Sequence, residues 1–108
     1  MIELVHYQDS ARDVPLRTWL SHLRDKLAKA QILKRFDYLE LGNFGDCASV
    51  GDGVIELRVH VGAGYRVYCA RHGQAVVLLL CGGDKRSQSH DIKLAQQYWA
   101  QWKKGQAS

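Results

Sequence analysis

Within Val54 to Val61 apolar and polar residues alternate without a break from Ile55 onward. Ile55, Leu57, Val59 and Val61 fall on one side of an extended chain, and Glu56, Arg58 and His60 on the other. A helix would scatter the four aliphatic side chains around its circumference, so this period of two fixes a strand. Gly62-Ala63-Gly64 follows, and Tyr65 to Ala70 begins a second extended run. The pattern is that of an antiparallel hairpin closed across three residues. Closure there pairs Val61 with Tyr65, Val59 with Val67 and Leu57 with Cys69 on one face. The other face then pairs His60 with Arg66, Arg58 with Tyr68 and Glu56 with Ala70. A register of the other parity would set arginine against valine.

The remaining segments supply cover for such a hairpin. After the turn Arg71-His72-Gly73, Ala75 to Cys81 is apolar on both faces, as in a central strand covered on both sides. Ile2 to Tyr7 reads as a first strand, closed by Gln8-Asp9-Ser10. Pro15 suits the first turn of a helix, on which Leu16, Trp19, Leu20 and Leu23 form one apolar stripe. Asp25 caps a second helix that buries Ala28, Ile32, Phe36 and Leu39 and ends at Gly42, with Lys26, Lys29, Lys34 and Arg35 on its remaining surface. Two glycine-bearing loops, Gly42 to Asp46 and Ser49 to Gly53, flank a short strand near Cys47. Ile92, Ala95, Trp99 and Trp102 place a third helix over Ser87 to Trp102, with Ser87 or Ser89 as its cap. The three tryptophans all lie on apolar stripes, where core packing is expected. The fold class expected is α+β, an antiparallel-dominated sheet of four to five strands with two N-terminal helices and a C-terminal helix. Residues 1–108 are expected to form one domain.

A chain of 108 residues builds a thin core, so a bound partner adds noticeably to its stability. Its formal charge of +4 favours an anionic partner, a nucleic acid or an acidic peptide. Cys47, Cys69 and Cys81 cannot all pair within one chain, and none is spaced as in a zinc site, which suits a reducing compartment. Cys69 and Cys81 lie in apolar strand sequence and are expected to pack as small hydrophobes. The opening residues lack the regions of a signal peptide, and the longest apolar run, Ala75 to Cys81, is too short to cross a bilayer. The expectation is a cytoplasmic protein with no membrane partner and no small-molecule cofactor or metal.

Two clusters carry possible chemistry. Arg58, His60, Arg66 and Tyr68 share the polar face of the hairpin, where guanidinium forks bind phosphate oxygens and a tyrosine stacks a base. The alternative is an ion-pair ladder in which Glu56 neutralises Arg58 and the face points to solvent. The second cluster is Gly82-Gly83-Asp84-Lys85-Arg86-Ser87-Gln88-Ser89-His90-Asp91, whose amides and cations can cradle phosphate. It lacks the spacing of a nucleotide-binding P-loop and is equally a solvated connection with a helix cap. His90 is placed to move protons near neutral pH, or is a polar residue at a helix start; His6, His22 and His72 read as surface or strand-end residues.

Several motifs in order carry a family resemblance: Gly42-Asn43-Phe44-Gly45-Asp46, Glu56-Leu57-Arg58, Gly64-Tyr65-Arg66-Val67-Tyr68, Leu79-Leu80-Cys81-Gly82-Gly83-Asp84-Lys85 and Asp91-Ile92. From about Trp19 to Trp99 the chain resembles the addiction-module killer proteins, a HigB-like branch of the RelE/ParE toxin superfamily. The resemblance implies a RelE-like fold, cleavage of messenger RNA on translating ribosomes, and neutralisation by a cognate antitoxin encoded alongside. By the same resemblance Arg58 and Arg66 match the basic strand positions that hold the RNA phosphate, Lys85 matches the basic position after the last strand, and Arg86, His90 and Asp91 lie where relatives place further catalytic groups. Taken with the two clusters, Arg58, Arg66, Lys85 and His90 are the candidate catalytic residues, and His60, Tyr68, Arg86 and Asp91 the candidate RNA-binding ones. Gyrase-inhibiting members of the superfamily share the fold without the nuclease residues, so a non-enzymatic toxin is the competing expectation, and an RNA-binding regulator without cleavage a third.

Overall fold

The alternating run is a strand, but the hairpin closes later than its glycines suggest. In the computed structural model, which describes residues 1–106, β3 (Val54–Val59) stops two residues short of Val61 and β4 begins at Tyr65 (Tyr65–His72). The loop between them is therefore residues 60–64. Two turns shape it, the Val61 N–H donating to the Val59 carbonyl at 2.9 Å and the Gly64 N–H to that of Val61 at 3.1 Å. Gly62 adopts φ +56, and a Cβ there would lie 2.6 Å from Asp25 Oδ2, so only glycine lets the loop tuck against that residue. The register moves by two. Arg58 faces Arg66, Glu56 faces Tyr68, Leu57 faces Val67 and Val59 faces Tyr65. The expected pairs His60 with Arg66 and Arg58 with Tyr68 do not occur, because a shift of two preserves the alternation and apolar pattern alone cannot detect it.

The sheet has five strands in the order β1, β5, β4, β3, β2, where β1 is Glu3–His6, β2 is Cys47–Ser49 and β5 is Val76–Asp84. All pairings are antiparallel except that of β1 with β5. Three helices complete the α+β fold: α1 (Pro15–His22), α2 (Lys26–Glu40) and α3 (Gln88–Gln106). Pro15 opens α1 as expected, and the Asp25 carboxylate accepts the Ala28 N–H at 3.0 Å to cap α2.

Each face of the sheet has its own core. On one, Leu16 and Leu20 of α1 and Ile32 and Leu39 of α2 meet Leu57, Val59, Val67, Cys69, Val77 and Leu79. On the other, Ala95 and Trp99 of α3 meet Val54, Tyr68, Ala70, Leu78, Leu80 and Cys81. Trp99 is buried, whereas Trp19 and Trp102 are half-buried against these cores. Burial pushes the thiols of Cys69 and Cys81 up to about 12, so both behave as the small hydrophobes expected, while Cys47 is exposed on β2.

A bulge sits in β5. Tyr68 pairs with Cys81 but Cys69 pairs with Leu79, which leaves Leu80 unmatched and reverses the side on which later residues point. Gly82 consequently faces α1 and Gly83 faces α3. A Cβ on Gly82 would stand 2.4 Å from the Trp19 ring, and one on Gly83 would collide with the Asp91 carboxyl group. The paired glycines let two helices approach one strand from opposite sides. Gly82→Ala is expected to destabilise the protein by about 1–3 kcal/mol through overpacking against Trp19. A melting temperature unchanged by this substitution would show that the indole has room to move.

Candidate functional site

The two-residue register shift sets the Arg58 and Arg66 side chains beside each other on the face of the sheet that α3 covers. What separates two guanidinium groups there is Glu56, whose side chain is only 1% exposed. Its Oε1 lies 3.2 Å from Arg58 Nε and its Oε2 3.5 Å from Arg66 Nε. The Tyr68 hydroxyl donates to Oε2 at 3.1 Å, and Gln88 Nε2, from the first turn of α3, donates to it at 2.9 Å. A buried carboxylate survives only with such partners, and here they join β3, β4 and α3 at one point. Glu56 does pair with Arg58, as the ion-pair alternative foresaw. It does so beneath the surface, on behalf of two arginines, and at Glu56 and Tyr68 the face is buried rather than open to solvent.

The guanidinium groups rim a cleft of about 410 Å³ lined by Arg58, His60, Val61, Gly62, Ala63, Gly64, Arg66 and Lys85. Arg66 Nη1 donates to the Gly64 carbonyl at 3.0 Å, tying the side chain to the loop that forms one wall. Arg58 is 40% exposed, and its Nη1 is 4.0 Å from Asp46 Oδ1. Asp46 Oδ2 also meets His60 Nε2 at 2.5 Å. The segment carrying Asp46 is fixed from α2, because the Arg35 guanidinium donates to the backbone carbonyls of Phe44 at 2.7 Å, Asp46 at 2.9 Å and Arg58 at 2.5 Å. Arg58, Arg66 and Lys85 thus face two carboxylates, one of them buried, and the cleft keeps an excess of positive charge suited to an anion.

Four of the eight residues singled out from the sequence meet in this cleft: Arg58, His60, Arg66 and Lys85. The other four do not line it. His90 is exposed on α3 and Arg86 is exposed before it. Tyr68, expected to stack a base, is wholly buried under α3; burial first, and then the Glu56 carboxylate, raise its phenol far above the ordinary value. Asp91 is buried and accepts a hydrogen bond from Ser87 Oγ at 2.5 Å. Nor do the amides before α3 form an open cradle. Those of Arg86 and Ser87 already donate to Asp84 Oδ1, at 2.9 and 3.2 Å.

Glu56, Gln88, Asp46 and Arg35 are site residues that pattern reading assigned no such place. The signal for Glu56 was a carboxylate between Ile55 and Leu57, beside a tyrosine once the register is right. Among the described residues no group of three His, Cys, Asp or Glu side chains is placed to hold a metal ion, and no helix is long and apolar enough to cross a membrane.

Residues 18–100 match the family described as Phage derived protein Gp49-like (DUF891). An uncharacterized protein of Haemophilus influenzae is 53% identical over 78 residues, which cover 72% of this chain and 79% of that protein.

Glu56→Ala strips the half-buried Arg66 of its counter-charge and is expected to destabilise the fold by about 3 kcal/mol in urea unfolding. A loss below about 1 kcal/mol would mean that water replaces the carboxylate. Asp91 tests the other wall of α3. Burial, ahead of the opposing Ser87 hydrogen bond and His90 charge, raises its carboxyl above the usual range. The folded state therefore holds this proton more tightly than the unfolded one, and ionisation costs stability as pH rises through the raised value. The melting temperature of Asp91→Asn, relative to the parent, should climb as pH increases from about 4. A pH-independent difference would contradict the shift.

Proposed function

This chain belongs to the phage-derived Gp49-like family, which is associated with the toxins of toxin-antitoxin modules, and on that footing we propose that it is a toxin that cleaves messenger RNA. The observation that carries the reading is the pairing of Arg58 with Arg66 across β3 and β4, in one cleft with Lys85. Cleavage of RNA by its own 2′-hydroxyl passes through a phosphorane that carries extra negative charge. Guanidinium groups held in place before the reaction stabilise that charge without reorganising. Arginine forks also match phosphate oxygens in pairs. Glu56 fixes both arginines by their Nε atoms, which leaves terminal amino groups to address the cleft.

Lys85 adds a third cation just after β5, and the Gly62-Ala63-Gly64 stretch of the loop admits a backbone without bulky side chains. A translating ribosome is the proposed setting, and a cognate antitoxin the proposed protein partner. The resemblance to the HigB-like branch of the RelE/ParE superfamily supports both, and His90, Arg86 and Asp91 are left with no direct part in holding phosphate.

Arg66→Ala is the discriminating variant. Glu56 keeps Arg58, Tyr68 and Gln88 as partners, so the fold should persist. Cleavage of a translated messenger on purified ribosomes should fall by about 10²-fold or more, and growth arrest should be lost. A fully toxic Arg66→Ala protein overturns the assignment. Inhibition of gyrase supercoiling by the parent protein, with no RNA cut, overturns the nuclease reading in favour of the non-enzymatic one.

A further inference from the structure

Resting on the nuclease reading, we infer that His60, oriented by Asp46, is the group that removes the 2′-hydroxyl proton in this cleft. Among the described residues lining it, the guanidinium groups of Arg58 and Arg66 and the ammonium of Lys85 offer only donors. Glu56 is buried, with Oε1 against Arg58 and Oε2 against Arg66, Tyr68 and Gln88. Tyr68 is sealed beneath α3, and His90 and Asp91 lie outside the lining. His60 stands at the rim, 74% exposed, and is the lining side chain whose chemistry accepts a proton near neutrality.

Its ring is not adrift. Nε2 meets Asp46 Oδ2 at 2.5 Å, and an imidazole that donates from Nε2 carries its lone pair on Nδ1. Asp46 is held in turn, its carbonyl accepting the Arg58 N–H at 3.0 Å and the Arg35 guanidinium at 2.9 Å. A carboxylate that fixes a histidine's tautomer and ring orientation makes that histidine a better-placed base. The charged groups facing His60 are Asp46 from the loop before β2, Arg58 from β3, Arg66 from β4 and Lys85 after β5.

In the step itself, the 2′-oxygen bonds to phosphorus as its proton passes to His60, and the bond from phosphorus to the 5′-oxygen breaks. The products are a 2′,3′-cyclic phosphate and a 5′-hydroxyl. The departing oxygen takes a proton from water, and the imidazolium returns one to the hydroxide so formed. Asp46 is a positioning residue that never touches the RNA.

The test compares the parent, His60→Gln and Asp46→Asn on a ribosome-bound messenger across pH 5–9, with binding to a cleavage-resistant 2′-deoxy oligonucleotide measured in parallel. His60→Gln should lose about 10²-fold in cleavage rate and the rise in rate with pH near neutrality, with binding within about twofold of the parent. Asp46→Asn should lose about tenfold while keeping that rise. Circular dichroism and melting curves establish that each variant is folded. Parent cleavage with His60→Gln retaining both rate and pH profile overturns the assignment alone. No cleavage by the parent on any messenger overturns the nuclease reading and this assignment together.

Discussion

Two arginines on neighbouring strands repel each other unless something of opposite sign lies between them, and Glu56 is what lies between Arg58 and Arg66. The remaining geometry of the cleft follows from this. The carboxylate must be dry to act strongly, so α3 lies over it; once dry it needs further donors, and Tyr68 and Gln88 supply them. Because Gln88 belongs to α3, the helix that covers the sheet is also registered against the site. Arg66 Nε, which has no hydrogen-bond partner among the described residues, shows that the cluster is held by charge more than by ideal hydrogen bonds.

The bulge at Leu80 does comparable work for the opposite edge of the site. Without it Gly82 and Gly83 would exchange faces, Trp19 and Asp91 would each meet a different residue, and Lys85 would leave the strand pointing elsewhere. A single unmatched residue thus decides on which side of the sheet the third cation emerges.

Much of this was legible in the residues. The stripe of Leu16, Trp19 and Leu20, the cap at Asp25, the alternation of Val54 to Val59 and the doubly apolar strand before Gly82 are local patterns, and the fold honours each. The convergence of Arg58, His60, Arg66 and Lys85 was legible too, since parity alone puts Arg58, His60 and Arg66 on one side of the hairpin. What failed depended on contacts distant in the chain. Hairpin length was set by the approach of Gly62 to Asp25, which no local pattern encodes. The burial of Tyr68 depends on where α3 docks, so a residue that looked ready to stack on a base became a ligand of Glu56. His90 looked chemical because it followed a basic loop, but helical geometry turns it outward, while His60 was undervalued because its partner, Asp46, is fourteen residues away.

Arg35 clasps the segment before β2 to β3 entirely through main-chain oxygens, those of Phe44 and Asp46 in the segment and of Arg58 in the strand. Every residue has such an oxygen, so the clasp is blind to side-chain identity. Related chains are free to vary the aromatic at position 44 without loosening this anchor, whereas exchange of the single guanidinium for lysine would forfeit its fork of donors. Divergence in this part of the molecule is therefore channelled: the loop can drift in composition while its path stays moored to the second helix.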